Sequence, residues 1–101
     1  MPAEPIEVRV DGALRALLPR FLDNRRTDVE RMEAALERRD SEALRRIGHQ
    51  LKGAGGGYGF SDITRIGGDI ESDARKGEYD RLATHIAELK RYLEVVQIVF
   101  E

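Results

Sequence analysis

The chain has 101 residues, enough for one modest hydrophobic core and too few for two. A charged fraction of 36%, a hydrophobic fraction of 41% and a net charge of −2 place it among ordinary globular domains and argue against a nucleic-acid partner, which would call for a basic excess. It has no cysteine, which excludes disulfides and thiolate metal sites, and no run approaching the roughly 18 apolar residues of a membrane span.

The first residues lack the basic start and apolar stretch of a secretory signal, so a cytoplasmic location with no membrane association is expected. Residues 1–5 hold two prolines, and Ile6, Val8 and Val10 alternate with Glu7 and Arg9 at a period of two. Residues 1–10 are therefore expected to be an N-terminal arm, extended over its second half and leaning on a domain that spans 11–101. Asp11 is placed to cap the next segment. Apolar residues at Leu14, Leu17, Leu18, Phe21, Leu22, Val29, Met32, Ala35 and Leu36 have helical spacing, interrupted at Pro19. Either a short helix ends near residue 18 and a longer one begins, or one helix bends there.

Asp40 or Ser41 caps the next helix. Its second half is rich in glycine: Gly48, Gly53, Gly55, Gly56 and Gly57 together penalise a helix by roughly 3–4 kcal/mol relative to alanine. Propensity alone stops this helix near Lys52 and makes 53–59 a loop; only packing, or a need for a bare surface, would keep it helical to about Tyr58. Ser61 is a candidate cap for a third helix that buries Ile63, Ile66, Ile70 and Ala74 and stops at Gly77. Tyr79, Leu82, Ile86, Leu89, Leu93, Val96 and Phe100 then follow three-four spacing without a break. The expected fold class is all-α: an antiparallel up-down four-helix bundle with a short extra N-terminal helix or extended arm.

Within the second helix, Leu44, Ile47, Leu51, Ala54 and Tyr58 lie roughly opposite His49 at about 100° per residue. Arg45, Lys52, Gly53 and Gly56 surround it. An unperturbed imidazole, with a pKa of about 6.5, is mostly neutral and nucleophilic at pH 7. A cation one turn away, Lys52, disfavours the imidazolium and would stabilise phosphoryl oxygens. Phosphoryl transfer proceeds through a loose, in-line transition state in which position and charge matter most. The two glycines remove side chains that would obstruct an approaching active site.

His49-Gln50-Leu51-Lys52-Gly53, followed by five residues and Gly59, resembles the H-x-L-K-G-x5-G signature of histidine-containing phosphotransfer (HPt) domains. Asp40-Ser41-Glu42-Ala43-Leu44-Arg45-Arg46, Asp69-Ile70-Glu71 and Ala74-Arg75-Lys76-Gly77 are also similar to that family, so the likeness covers roughly residues 11–100. It implies a four-helix bundle with the histidine exposed on the second bundle helix. It implies further that His49 is phosphorylated on its epsilon nitrogen, that Lys52 neighbours the phosphate and that Gly53 admits the docking receiver. Such domains exchange phosphate with receiver domains of response regulators and of hybrid sensor histidine kinases. The family usually has alanine before the histidine and small hydroxyl residues after the first glycine; here Gly48, Ala54 and Gly55 stand instead.

A lone helical histidine is ordinarily a solvated polar residue, and only the agreement of motif and wheel geometry sets His49 apart. Gln50 and Arg45 are candidates for partner docking, although each is also an ordinary surface residue. His85, at the border of the last apolar stripe, reads as structural or plain surface. The remaining arginines read as solvated faces, some in i,i+4 pairs with Glu30 and Glu42. The glycine cluster fits neither G-x-G-x-x-G nor a phosphate loop, and no converging ligands make a metal site with the two histidines. The expectation is a monomeric phosphocarrier without catalytic activity or a cofactor of its own, relying on Mg²⁺ in the receiver. The alternative is a helical interaction module that sequesters a kinase or receiver without carrying phosphate.

Overall fold

The computed structural model of the chain describes residues 5–101; the start of the expected arm, residues 1–4, lies outside them. Strand β1 (Ile6–Val10) leads into a 3-10 turn (Gly12–Leu17). Helices α1 (Leu18–Glu37), α2 (Ser41–Gly57), α3 (Ser61–Lys76) and α4 (Tyr79–Val95) come next, and strand β2 (Val96–Phe100) closes the order. The helices form a four-membered bundle in which α2 and α4 each pack against both α1 and α3. No helix among the described residues is long and apolar enough to cross a membrane.

Local chemistry explains most boundaries. Asp11 accepts a hydrogen bond from the Ala13 amide at 2.9 Å, and Asp40 accepts one from Ala43 at 3.1 Å, so each satisfies a donor that a helical turn leaves open. Pro19 sits in the first turn of α1, where its missing N–H has no intrahelical partner to lose. It therefore starts a helix, and the segment before it is a six-residue 3-10 turn rather than a separate α-helix. Gly77 adopts a left-handed φ of 66° and ends α3, with its own amide bonded to the Ala74 carbonyl and that of Glu78 to the Asp73 carbonyl. Ser61 does not cap α3. Phe60 holds the cap position without a side-chain bond, fully buried, its ring 5.3 Å from Phe21, which also stacks on Tyr58 at 4.2 Å.

Two larger expectations, drawn from propensity and from spacing alone, fail. Residues 53–57 continue the helix instead of forming a loop. Three glycines explain this, because α2 and α3 approach too closely for side chains at the contact. A Cβ on Gly67 would lie 2.5 Å from the Lys52 amide nitrogen and 2.8 Å from the Leu51 Cβ. One on Gly48 would lie 2.7 Å from the Glu71 nitrogen, and one on Gly55 would lie 2.8 Å from the Phe60 carbonyl oxygen. These contacts descend along α3 as they ascend along α2, so the pair runs in opposite directions. The backbone-to-backbone packing offsets the low helix propensity of the glycine run.

The second failure is at the C-terminus. α4 ends at Val95, and Val96–Phe100 is a strand paired in parallel with β1, from Ile6↔Val96 to Val10↔Phe100. The arm over 6–10 is therefore a hydrogen-bonded strand, not a segment that merely leans on the bundle. Val96, Ile98 and Phe100 are half-buried while Gln97 and Val99 are exposed, the alternation a strand requires. Branched side chains at Val95, Val96, Ile98 and Val99 restrict χ1 and favour extended backbone once a partner strand is at hand.

The glycines divide accordingly. Gly67→Ala is expected to lose about 1–3 kcal/mol because a methyl group has no room at the α2–α3 contact. Gly53→Ala, with nothing within 4 Å of the added Cβ, is expected to gain about 0.5–1 kcal/mol. Urea unfolding midpoints at unchanged slope would check both.

Candidate functional site

The close α2–α3 contact is also what builds the site. Gly48 precedes His49 and brings the α3 backbone at Glu71 against α2. The Glu71 side chain, only 9% exposed, then lies beneath the imidazole, whose own side chain is 69% exposed. His49 Nδ1 is 2.9 Å from Glu71 Oε2. A carboxylate only accepts, so the proton of this hydrogen bond belongs to Nδ1, and the lone pair of the neutral ring belongs to Nε2. Nε2 has no hydrogen-bond partner among the described residues.

Cations gather around the same carboxylate. Arg75 donates to Glu71 Oε2 at 3.2 Å, and Lys52 Nζ stands 3.9 Å from Oε1. The neighbouring surface is bare: Gly53 and Gly56 are exposed, and a Cβ at Gly53 would meet nothing within 4 Å. A nucleophilic nitrogen, buffered by a buried anion and flanked by cations and open backbone, can accept a tetrahedral anionic group from a partner that reaches it end-on.

The Hpt domain family model matches residues 16–98 of the chain. The chain belongs to the Hpt domain family. No curated protein and no solved structure matches it. Hpt domains take part in two-component phosphorelays as phosphocarriers rather than catalysts.

In this Hpt domain the other candidate residues are less closely tied to the imidazole. Arg45 makes a two-pronged pair with Glu42, at 2.6 and 3.2 Å, which holds the Glu42 carboxylate below the usual carboxylate range. The arginine pairs on α1 and α2 are at i,i+3: Arg25 and Arg31 with Asp28, Arg26 with Asp23 and Arg45 with Glu42. The i,i+4 pairs expected with Glu30 and Glu42 are not among them. Gln50 is exposed and makes no side-chain hydrogen bond among the described residues. His85 differs from His49 in the way that matters for a carrier. Its side chain is 20% exposed, its Nδ1 is 2.6 Å from buried Asp73, and its Nε2 faces Asp69 at 3.8 Å. An anion on each side suits a structural imidazole and repels a phosphoryl group.

Glu71 is the residue that reading the sequence missed. The signal was there: a carboxylate four residues after Gly67, at the border of the apolar stripe of α3, is a charge drawn into the contact. Replacing it should redistribute the ring proton. In Glu71→Ala the neutral His49 ring is expected to shift its proton toward Nε2, the tautomer that imidazole prefers in water. Long-range ¹⁵N–¹H correlation spectra of the neutral ring, compared with wild type, would check this.

Proposed function

We propose that this chain is a histidine phosphotransfer protein of a two-component phosphorelay, and that His49 Nε2 carries the phosphoryl group. The observation that carries the proposal is the exposed imidazole whose Nδ1 proton is held by buried Glu71, which leaves the Nε2 lone pair outward. In the forward step Nε2 attacks the phosphorus of an aspartyl phosphate in a receiver domain. The N–P bond forms as the P–O bond to the aspartyl oxygen breaks, and that oxygen leaves with the electron pair as a carboxylate. The Nδ1 proton stays in place, its positive charge in the product balanced by Glu71. Return to a receiver aspartate is the same step reversed, in line and loose, with little demand for covalent help from this chain.

Lys52 would stabilise the phosphoryl oxygens from one turn along α2. Gly53 and Gly56 would let the receiver's loops close over the ring, with Arg45 and Gln50 at the rim of the docking surface. The reading takes the helices as an antiparallel up-down bundle and the protein as a cytoplasmic monomer. Its partners are receiver domains and a hybrid sensor histidine kinase. The chain needs no cofactor of its own, and Mg²⁺ belongs to the receiver's acidic pocket.

Incubation with a phosphorylated receiver tests the proposal. Wild type is expected to acquire an acid-labile phosphoryl adduct that His49→Gln abolishes; tight receiver binding without labelling would instead mark a sequestering module. Gly53→Leu is expected to slow transfer from the receiver by about tenfold to a hundredfold, measured by rapid quench, because the added side chain displaces the reacting groups.

A further inference from the structure

His49 stands between two cations of its own helix. Lys52 follows it by about one turn and Arg45 precedes it by about one turn, both on the outward face of α2. Residues four apart on a helix have Cβ atoms about 5–6 Å from each other, and side chains lean toward the helix N-terminus. The imidazole therefore inclines over the turn that begins with Arg45, within the span of a guanidinium on its long stem. The charge of Glu71, which lies beneath the ring, reaches Arg45 as well.

Arg45 is nevertheless turned the other way. Its guanidinium grips Glu42, with Nη2 2.6 Å from Oε1 and Nε 3.2 Å from Oε2. The pair is open to water, the Glu42 side chain 68% exposed and that of Arg45 34%. An exposed ion pair of this kind contributes only about 0.2–1 kcal/mol, so a stronger anion within reach displaces it. A phosphoryl group is such an anion. It carries about −1.5 to −2 charges near pH 7 and three acceptor oxygens, and a guanidinium binds it through two parallel hydrogen bonds. Glu42 itself precedes His49 by about 10 Å along the helix axis, where salt screens its direct field on the ring. Its influence on the site passes through Arg45.

We propose that Glu42 is a positioning residue that acts through Arg45: in the unloaded protein it holds the guanidinium away from His49, and once a phosphoryl group is on Nε2 the guanidinium leaves Glu42 for the phosphoryl oxygens. No covalent bond changes in this exchange; one hydrogen-bonded ion pair breaks and another forms. Glu42 is then a competing anion that limits how tightly the loaded group is held. Such a limit suits a carrier, which must release what it accepts. The inference rests on the carrier function proposed above.

The test uses the full chain labelled with phosphoramidate, where the bond from His49 Nε2 to phosphorus forms as the donor's N–P bond breaks and ammonia leaves. In wild type the ¹⁵N–¹H signal of Arg45 Nε is expected to shift on phosphorylation, as its acceptor changes from carboxylate to phosphoryl. The ³¹P titration of the phosphohistidine reports the same event, because a bound cation favours the dianion and lowers the group's proton affinity. Glu42→Gln, which frees Arg45, is expected to lower that affinity by about twofold to fivefold, and Arg45→Gln to raise it by a similar factor. In an Arg45→Gln background Glu42→Gln is expected to have no further effect. A Glu42→Gln variant that titrates like wild type, or that shifts equally with and without Arg45, overturns the inference; so does an Arg45 signal unmoved by phosphorylation. Wild type that takes no label on His49 would sink the carrier function, and this inference with it. Neither side chain belongs to the core, so both replacements leave the bundle intact, which circular dichroism checks.

Discussion

The near-contact of two helix backbones governs this protein. α2 and α3 meet through Gly48, Gly55 and Gly67, at distances where even a methyl group would overlap main-chain atoms. Such an approach exchanges side-chain burial at the seam for dense backbone packing, and it fixes the register of the two helices to within a fraction of a turn. The register matters because Glu71 lies one turn beyond Gly67 on α3 and His49 directly succeeds Gly48 on α2. Once the glycines seat, the carboxylate has little choice but to lie under the imidazole.

That arrangement separates two needs that usually conflict. On the function proposed above, the ring must be exposed enough for another protein to reach, yet oriented well enough that one nitrogen and not the other presents its lone pair. Here exposure comes from the outer face of α2 and from the bare stretch at Gly53 and Gly56. Orientation comes from a buried group on the neighbouring helix, whose carboxylate also accepts from Arg75 at 3.2 Å and faces Lys52 at 3.9 Å. His85 shows the contrasting use of the same chemistry. Its Nδ1 too is hydrogen-bonded to a buried carboxylate, but a second carboxylate faces its other nitrogen and its surroundings are largely closed, so the ring ties α4 to α3.

The two failed expectations share a physical origin. Glycine content argued for a loop after Lys52 because helix propensity describes an isolated segment, and in an isolated segment nothing rewards a missing side chain. The reward exists only where another backbone comes near, and which backbone that is depends on the tertiary arrangement. Likewise Val96 and Phe100 fit the helical spacing of the preceding stripe, and spacing cannot say that a strand from the other end of the chain lies alongside. The β-branched composition of 95–99 was the available warning, and the pairing with Ile6–Val10 turned it into a strand.

The linear chain by itself determined a good deal: the periodicities of the helices, the boundaries at Gly77 and Asp40, the interruption at Pro19, and the motif that singles out His49 with Lys52 and Gly53. All of these depend on residues within a few positions of one another, so local sequence suffices to reveal them. Only the tertiary structure decided that the glycine run stays helical, that the chain's two ends pair as strands, and that Glu71 and Arg75 stand behind the imidazole. Those features join residues about twenty to ninety positions apart, and no local pattern encodes a distance that exists only after the bundle has closed.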